Sequence, residues 1–510
     1  MRGLSPHRGR RVTRARLSFL LAVLIPGAVR AQGYRLRVDL RGQAVSYRGV
    51  TLDSVPVGDT VPGVGGGPVT PDGIAALCVQ GEAYCSFYRP GAPQRSDPVS
   101  TTADFTAWGF GLPGLSLHVL ARGGADLGDA AVSWPGTTPA VQLLEGYAEY
   151  AQPRYVIRLG RQTQAAPIGF TGFDGASATA RDARLGLDAT GYLGWGLADA
   201  SALPVTSAAL NPLDDFQPVE RQLVAGAALG FRSAPFDVRW SYERQVDRRS
   251  DYFVSERTRV DAALRPLAGW SLTASGMYDL AQALWGNVDL RLAWQARSGR
   301  ADAAVGVSRY RPDFDLWTIW GAFSPTAYRS LDGSLDLVPW RALTLHVTGQ
   351  VYKYDPTGAS APLVDVQSSG WRFAWDGAYT LSARWRLDAG YHAEFGPGAS
   401  SRGFTGGAAY ALGERVNLSA HAGTLDTPLE FRVDDASVWM LGAAVAYRPS
   451  GRWSLDADAT RYAENRKRPD AAGFDWNQLR LSARVTLYFG SGTGAGGVPA
   501  AVGAMPEGPR

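Results

Sequence analysis

The stretch "LRLSARVTLYF" (479–489) alternates in steps of two. Leu479, Leu481, Ala483, Val485, Leu487 and Phe489 fall on one side of an extended chain, and Arg480, Ser482, Arg484, Thr486 and Tyr488 on the other. Successive side chains of a strand point to opposite faces, so this is a strand with one apolar and one ionic face. The same rhythm recurs in "YRLRVDL" (34–40), "NVDLRLAWQ" (287–295), "LTLHVTGQV" (343–351), "WRLDAGY" (385–391) and "WSLDADA" (453–459). A chain of 510 residues with 45% hydrophobic and 19% charged residues, 61 Gly and 16 Trp is foldable and reads as β-structure.

The connections between these strands differ in length. "GLPG" (111–114), "AQPR" (151–154), "RSAPF" (232–236), "RPLAG" (265–269), "QARSGR" (295–300), "LVPWR" (337–341), "LSAR" (381–384), "LGER" (412–415) and "RPSGR" (448–452) are short. Between them lie longer segments at 123–141, 162–180, 204–219, 311–326, 355–369, 424–436 and 463–475. A further short turn is expected near "GWG" (194–196). Short turns at one end and long loops at the other are the pattern of a transmembrane β-barrel. Trp270, Trp385 and Trp453 open strands directly after short turns, and Tyr278 and Tyr391 close two of them, as interfacial aromatic girdles do. The expected fold is all-β: an antiparallel up-and-down transmembrane barrel of about 20–22 strands (range 16–22), with both termini on the short-turn side.

The arginines of residues 1–31 precede "LSFLLAVLIPGAV" (17–29), which is broken by Pro26 and too short to span a bilayer as a helix. This segment reads as a cleaved signal peptide ending at "VRA" (29–31). Removing its seven Arg turns the formal charge from +4 to −3, so the basic balance belongs to export and gives no sign of nucleic-acid binding. The barrel then occupies 32–489, with 49–99 as a long extracellular loop and 490–510 as a flexible periplasmic tail. Cys78 and Cys85, with "VQGEAY" between them, read as a disulfide stapling that loop.

With these features the chain resembles the bacterial outer-membrane porin-like β-barrels of Gram-negative cells, over roughly 34–489. "LRLSARVTLYF" looks like the C-terminal recognition strand of that group, although a tail follows it here. "RYVIRLGRQ" (154–162) and "GFDGAS" (172–177) look like segments of substrate-selective porins in which a strand runs into a loop folding toward the lumen. The resemblance implies a passive channel for small hydrophilic solutes, outer-membrane lipid and lipopolysaccharide around it, and the barrel assembly machinery as a partner. The alternative is a structural or interaction barrel, a partner sheath or surface receptor, without free transport. A soluble secreted β-sandwich is a further reading.

Strand phase assigns Arg35, Arg37, Asp39, Arg41, Glu145, Glu149, Arg158, Arg239, Arg291, Asp456, Asp458, Arg480 and Arg484 to a wet lumen. Acids and bases assigned this way nearly balance, so bulk charge predicts no strong ion selectivity. Closure brings 34–48 beside 476–489 and gathers Arg35, Arg37, Arg41, Arg480 and Arg484 around Asp39. That seam is either a basic track for anions or a cross-strand salt-bridge network, and the network is the favoured reading. The segment 162–180 is the expected constriction loop, with Gly169, Gly172 and Gly175 for bends and Phe170, Phe173 and Asp174 facing the lumen. His346, His392 and His421 read as polar wall residues. No hydrolase, phosphate-loop or zinc motif is present, so neither catalysis nor a metal nor a cofactor is expected.

Overall fold

The computed structural model describes residues 33–63, 67–128, 141–197, 222–246, 254–311, 327–355, 368–396, 399–427, 435–468 and 476–491. The expected signal peptide (1–31) and most of the expected tail (490–510) lie outside these residues.

Alternating sequence becomes antiparallel sheet throughout. The strand Gly33–Pro56 pairs on one edge with Pro98–Trp108 and on the other with Trp476–Gly490, which closes the sheet on itself. Between those two, every strand pairs with its sequence neighbours, so the wall is a closed up-and-down barrel of 22 strands. Closure matters because an open edge in lipid would leave a row of unpaired N–H and C=O groups. The opening stretch forms the closing seam, with Asp39 opposite Thr486, Arg41 opposite Arg484 and Gln43 opposite Ser482.

The short turns fall where the Pro and Gly residues require. Gly269 turns the chain between Val254–Leu267 and Trp270–Asp279 at φ 81°, a conformation that costs glycine nothing. The expected turn at 194–196 is instead the end of the strand Leu187–Gly196. The turn of that pair is four residues at 183–186, closed by Gly186 at φ 65°. Glycines such as Gly194 and Gly196 mark close strand approach as readily as a turn. A Cβ on Gly194 would lie 2.6 Å from the Asp174 carbonyl oxygen.

Two segments expected to be loops are strands. Residues 162–180 belong to a hairpin, Tyr155–Ala166 and Gly169–Asp182, joined by Pro167 and Ile168. Its glycines permit tight pairing: a Cβ on Gly175 would lie 2.1 Å from the Leu193 carbonyl oxygen. Much of 49–99 is also sheet. The first strand runs on past the barrel wall, and its residues 45–56 pair with Tyr84–Ser96. That strand carries the short Ala76–Cys78 on its other side, and Cys78 and Cys85 form a disulfide across this pair. The extension sits at the end of the barrel opposite the short turns.

Candidate functional site

Each wall strand has an interior and an exterior face, and the contacts show which is which. A side chain reaches across an intervening strand most readily where the sheet is concave. Arg239 reaches Asp188 at 2.8 Å and Arg291 reaches Asp332 at 2.9 Å, each across an intervening strand. Glu243 accepts from Tyr192 at 2.6 Å across one strand and from Thr171 at 2.7 Å across two. The ionic face is therefore the interior.

The exterior face is apolar and accessible, with Leu193, Leu229, Val305, Leu441 and Leu481 among its exposed residues. Aromatic pairs border it at both ends. Trp270 faces Trp294, and Trp385 faces Tyr410, beside the short turns. Trp371 faces Phe395 near the other end. Strand segments of roughly 9–11 residues between two such girdles match a bilayer's hydrocarbon core. Side chains of Leu and Val exposed in this number are stable against lipid and not against water. The protein is a closed antiparallel β-barrel with an apolar exterior and an ionic interior, the form in which a sheet can span a membrane.

The seam gathers the expected charges into a network with one acid at its hub. Asp39 accepts from Thr486 Oγ1 at 2.6 Å, from Arg484 Nη2 at 2.8 Å and from Arg37 Nη2 at 3.3 Å, and it lies 2.9 Å from Arg37 Nε in the same ion pair. On the neighbouring strand Asp456 stands opposite Arg484 in register but is paired with Arg448 at 3.4 Å. Asp458 accepts a short hydrogen bond from Ser482. Arg35 and Arg41 are exposed and make no ion pair among the described residues. Arg41 stands directly opposite Arg484, whose charge Asp39 already meets. Arg480 stands further along the same face, opposite Thr460.

The network continues around the wall. Arg37 faces Asp104, and the next strand supplies His118. His118 Nε2 lies 3.1 Å from Glu145, and Glu145 also accepts from Thr163 at 2.9 Å. Glu149 pairs with Arg158 at 2.6 Å, and the Arg158 guanidinium lies 5.1 Å from the Tyr147 ring centre. Thus the interior face from Asp456 through Asp39 to Arg158 is one band of alternating charge over adjacent strands.

Strand phase assigns these residues a face but no partner, and the structure supplies the partners. The acid for Arg239 is Asp188, and Asp237 pairs with Arg232 at 2.8 Å. Arg291 turns to Asp332 and Ser334. His118 was missed altogether, although the alternation of "LSLHVLAR" (115–122) carries it on the ionic face. His346 pairs with Asp336 at 2.6 Å, and His421 lies 3.3 Å from Thr460.

The four residues expected to narrow the pore form no loop. Gly169, Phe170, Phe173 and Asp174 all lie on the strand Gly169–Asp182. Phe173 is fully buried and stacks on Tyr192 at 5.4 Å, beside Val224. Asp174, one residue on, faces outward and is held by Arg161 through two hydrogen bonds of 2.7 and 2.9 Å. Alternation on a strand separates these two neighbours, so they cannot act together in the lumen.

No family model and no curated protein matches the sequence. Among solved structures, the chain is similar to OccK9 (OpdG) of Pseudomonas aeruginosa, at 12% identity over 89% of this chain and 98% of that one, with a TM-score of 0.38. A BenF-like porin from Pseudomonas fluorescens Pf-5 matches at 13% identity, 89% and 99% coverage and 0.38. The FrpB iron transporter from Neisseria meningitidis matches at 10% identity, 91% and 82% coverage and 0.46.

Proposed function

We propose that the barrel is a passive channel for small hydrophilic solutes. The observation that carries this reading is the composition of the interior wall. It is lined by paired but hydrated ions, such as Arg158 with Glu149 and Arg372 with Glu394, where a packed core would require apolar side chains. A closed sheet of 22 strands has a backbone radius of roughly 20 Å, by strand spacing and tilt, which is ample for hydrated solutes. The near balance of charges supports a pore without strong overall ion preference. Arg35 and Arg41, without an ion pair among the described residues, give the seam a local basic bias.

Liposome swelling tests the reading. Purified, folded protein in liposomes should admit small neutral sugars at rates that fall with solute size. Liposomes that stay sealed would make the barrel a sheath or receptor instead.

A further inference from the structure

The outer face carries one arrangement that solute passage does not use. Arg309, Arg329 and Lys353 stand directly opposite one another on three adjacent strands, Ala301–Tyr310, Tyr328–Trp340 and Leu343–Tyr354. They share the face of Val305, Leu335 and Val347, which is the exterior. Like charges directly opposite in a sheet repel. A single carboxylate serves the row: Asp355 meets Arg309 and Arg329 at 3.2 Å each. Lys353 makes no ion pair among the described residues, and Arg309 Nε is buried with no hydrogen-bond partner. Three other outward-facing arginines have an acid of their own, Arg161 with Asp174, Arg402 with Asp426 and Arg244 with Glu256, and outward-facing Arg461 lies over the Trp439 ring. Among the described residues the row therefore holds an excess of two positive charges.

Its position says what balances it. One pleat nearer the membrane centre, in the same register, lies the row Val307, Leu331, Val351 and Trp371. The three aliphatic residues are about half exposed, at 49%, 49% and 55%. Trp371 with Phe395 belongs to the girdle distant from the short turns, which marks the outer-leaflet interface. The cations thus sit at headgroup height directly above a lipid-facing aliphatic strip. Phosphate is the group that meets arginine and lysine most strongly there, and the strip below fits acyl chains.

We infer that Arg309, Arg329 and Lys353 form a binding site for the phosphate of an outer-leaflet glycolipid, whose acyl chains run along Val307, Leu331 and Val351. This goes beyond a general lipid environment, since it assigns one headgroup to three residues, and it is independent of what the lumen conducts.

Native mass spectrometry of the folded barrel in detergent tests it, with bisphosphorylated lipid A, the same lipid stripped of phosphate, and inorganic phosphate as probes. Wild type should retain lipid A, and the stripped lipid should bind at least tenfold more weakly. Each lost cation should cost about fivefold, so Arg309→Gln/Arg329→Gln/Lys353→Gln together should weaken binding roughly a hundredfold. Millimolar inorganic phosphate should not displace the lipid. Equal binding by the triple variant, equal binding of stripped lipid, or displacement by phosphate alone would overturn the site. Should the triple variant fail the heat-modifiable mobility test of folding, Arg329→Gln is read alone. Arg329 is 73% exposed and should lose about fivefold, and an unchanged affinity sinks the proposal. Swelling that persists without lipid retention condemns this site and leaves the channel standing, and the reverse result separates them equally well.

Discussion

The Tyr192 hydroxyl donates a 2.6 Å hydrogen bond to Glu243 by lying flat across Gly226, which occupies the strand between them. A Cβ on Gly226 would fall 2.1 Å from the Tyr192 ring. The device repeats around the interior. Asp188 passes over Gly230 to reach Arg239, Asp332 over Gly306 to reach Arg291, and Tyr352 over Gly370 toward Glu394. Interior glycines thus serve as grooves that let a polar side chain brace three strands.

Gly226→Val should therefore destabilise the barrel by about 1–3 kcal/mol, the usual cost of overpacking. Tyr192→Phe removes one hydrogen bond from a buried carboxylate and should cost about 1–3 kcal/mol. Urea unfolding in vesicles followed by tryptophan fluorescence measures both. A neutral Gly226→Val would show that the crossing is incidental.

Asp39→Asn should loosen the seam, because Arg37 and Arg484 both lose their ionic partner while Thr486 keeps an acceptor. The expected loss is about 1–3 kcal/mol, since the groups stay partly hydrated. Two interior cations freed at once should also move the reversal potential toward anions in a salt gradient across a planar bilayer. Arg41→Gln should shift the potential the other way and leave the unfolding midpoint unchanged, because Arg41 is exposed and unpaired.

Phe173→Ala should cost about 3–5 kcal/mol of stability by leaving a cavity against Tyr192 and Val224. Single-channel conductance of the folded fraction should stay at the wild-type level, since the ring lies on the lumen face but is fully covered by its neighbours there. A clear rise in conductance would restore Phe173 as a constriction. Deleting 166–174 should abolish folding altogether, because it removes half of a wall strand.

Leu481→Arg places a cation on the lipid face and should cost about 2–4 kcal/mol, with the largest value if the site lies at the bilayer midplane. Ser482→Arg, one residue along and facing the interior, should cost far less. The yield of heat-modifiable barrel on refolding into vesicles compares the two, and equal yields would contradict the assignment of faces.

The alternation of "LRLSARVTLYF" is local, and that is why it was readable. A two-residue period fixes which side chains share a face, whatever strand lies beside them. From it came the all-β class, the ionic interior, the strand number to within a pair, and the meeting of residues 34–48 with 476–489. Short turns were readable for the same reason, except at 183–186. Strand length is not: the glycines of 162–180 suggest a loop but serve tight pairing and not bending.

Partner choice belongs to the closed sheet. Register and shear decide that Arg239 meets Asp188 and not Asp237, that Phe173 is buried under Tyr192, and that Arg309, Arg329 and Lys353 align in one row. These contacts join residues tens to hundreds of positions apart. The period along each strand is the same at every register that preserves its faces, so only closure of the whole ring selects one offset among them.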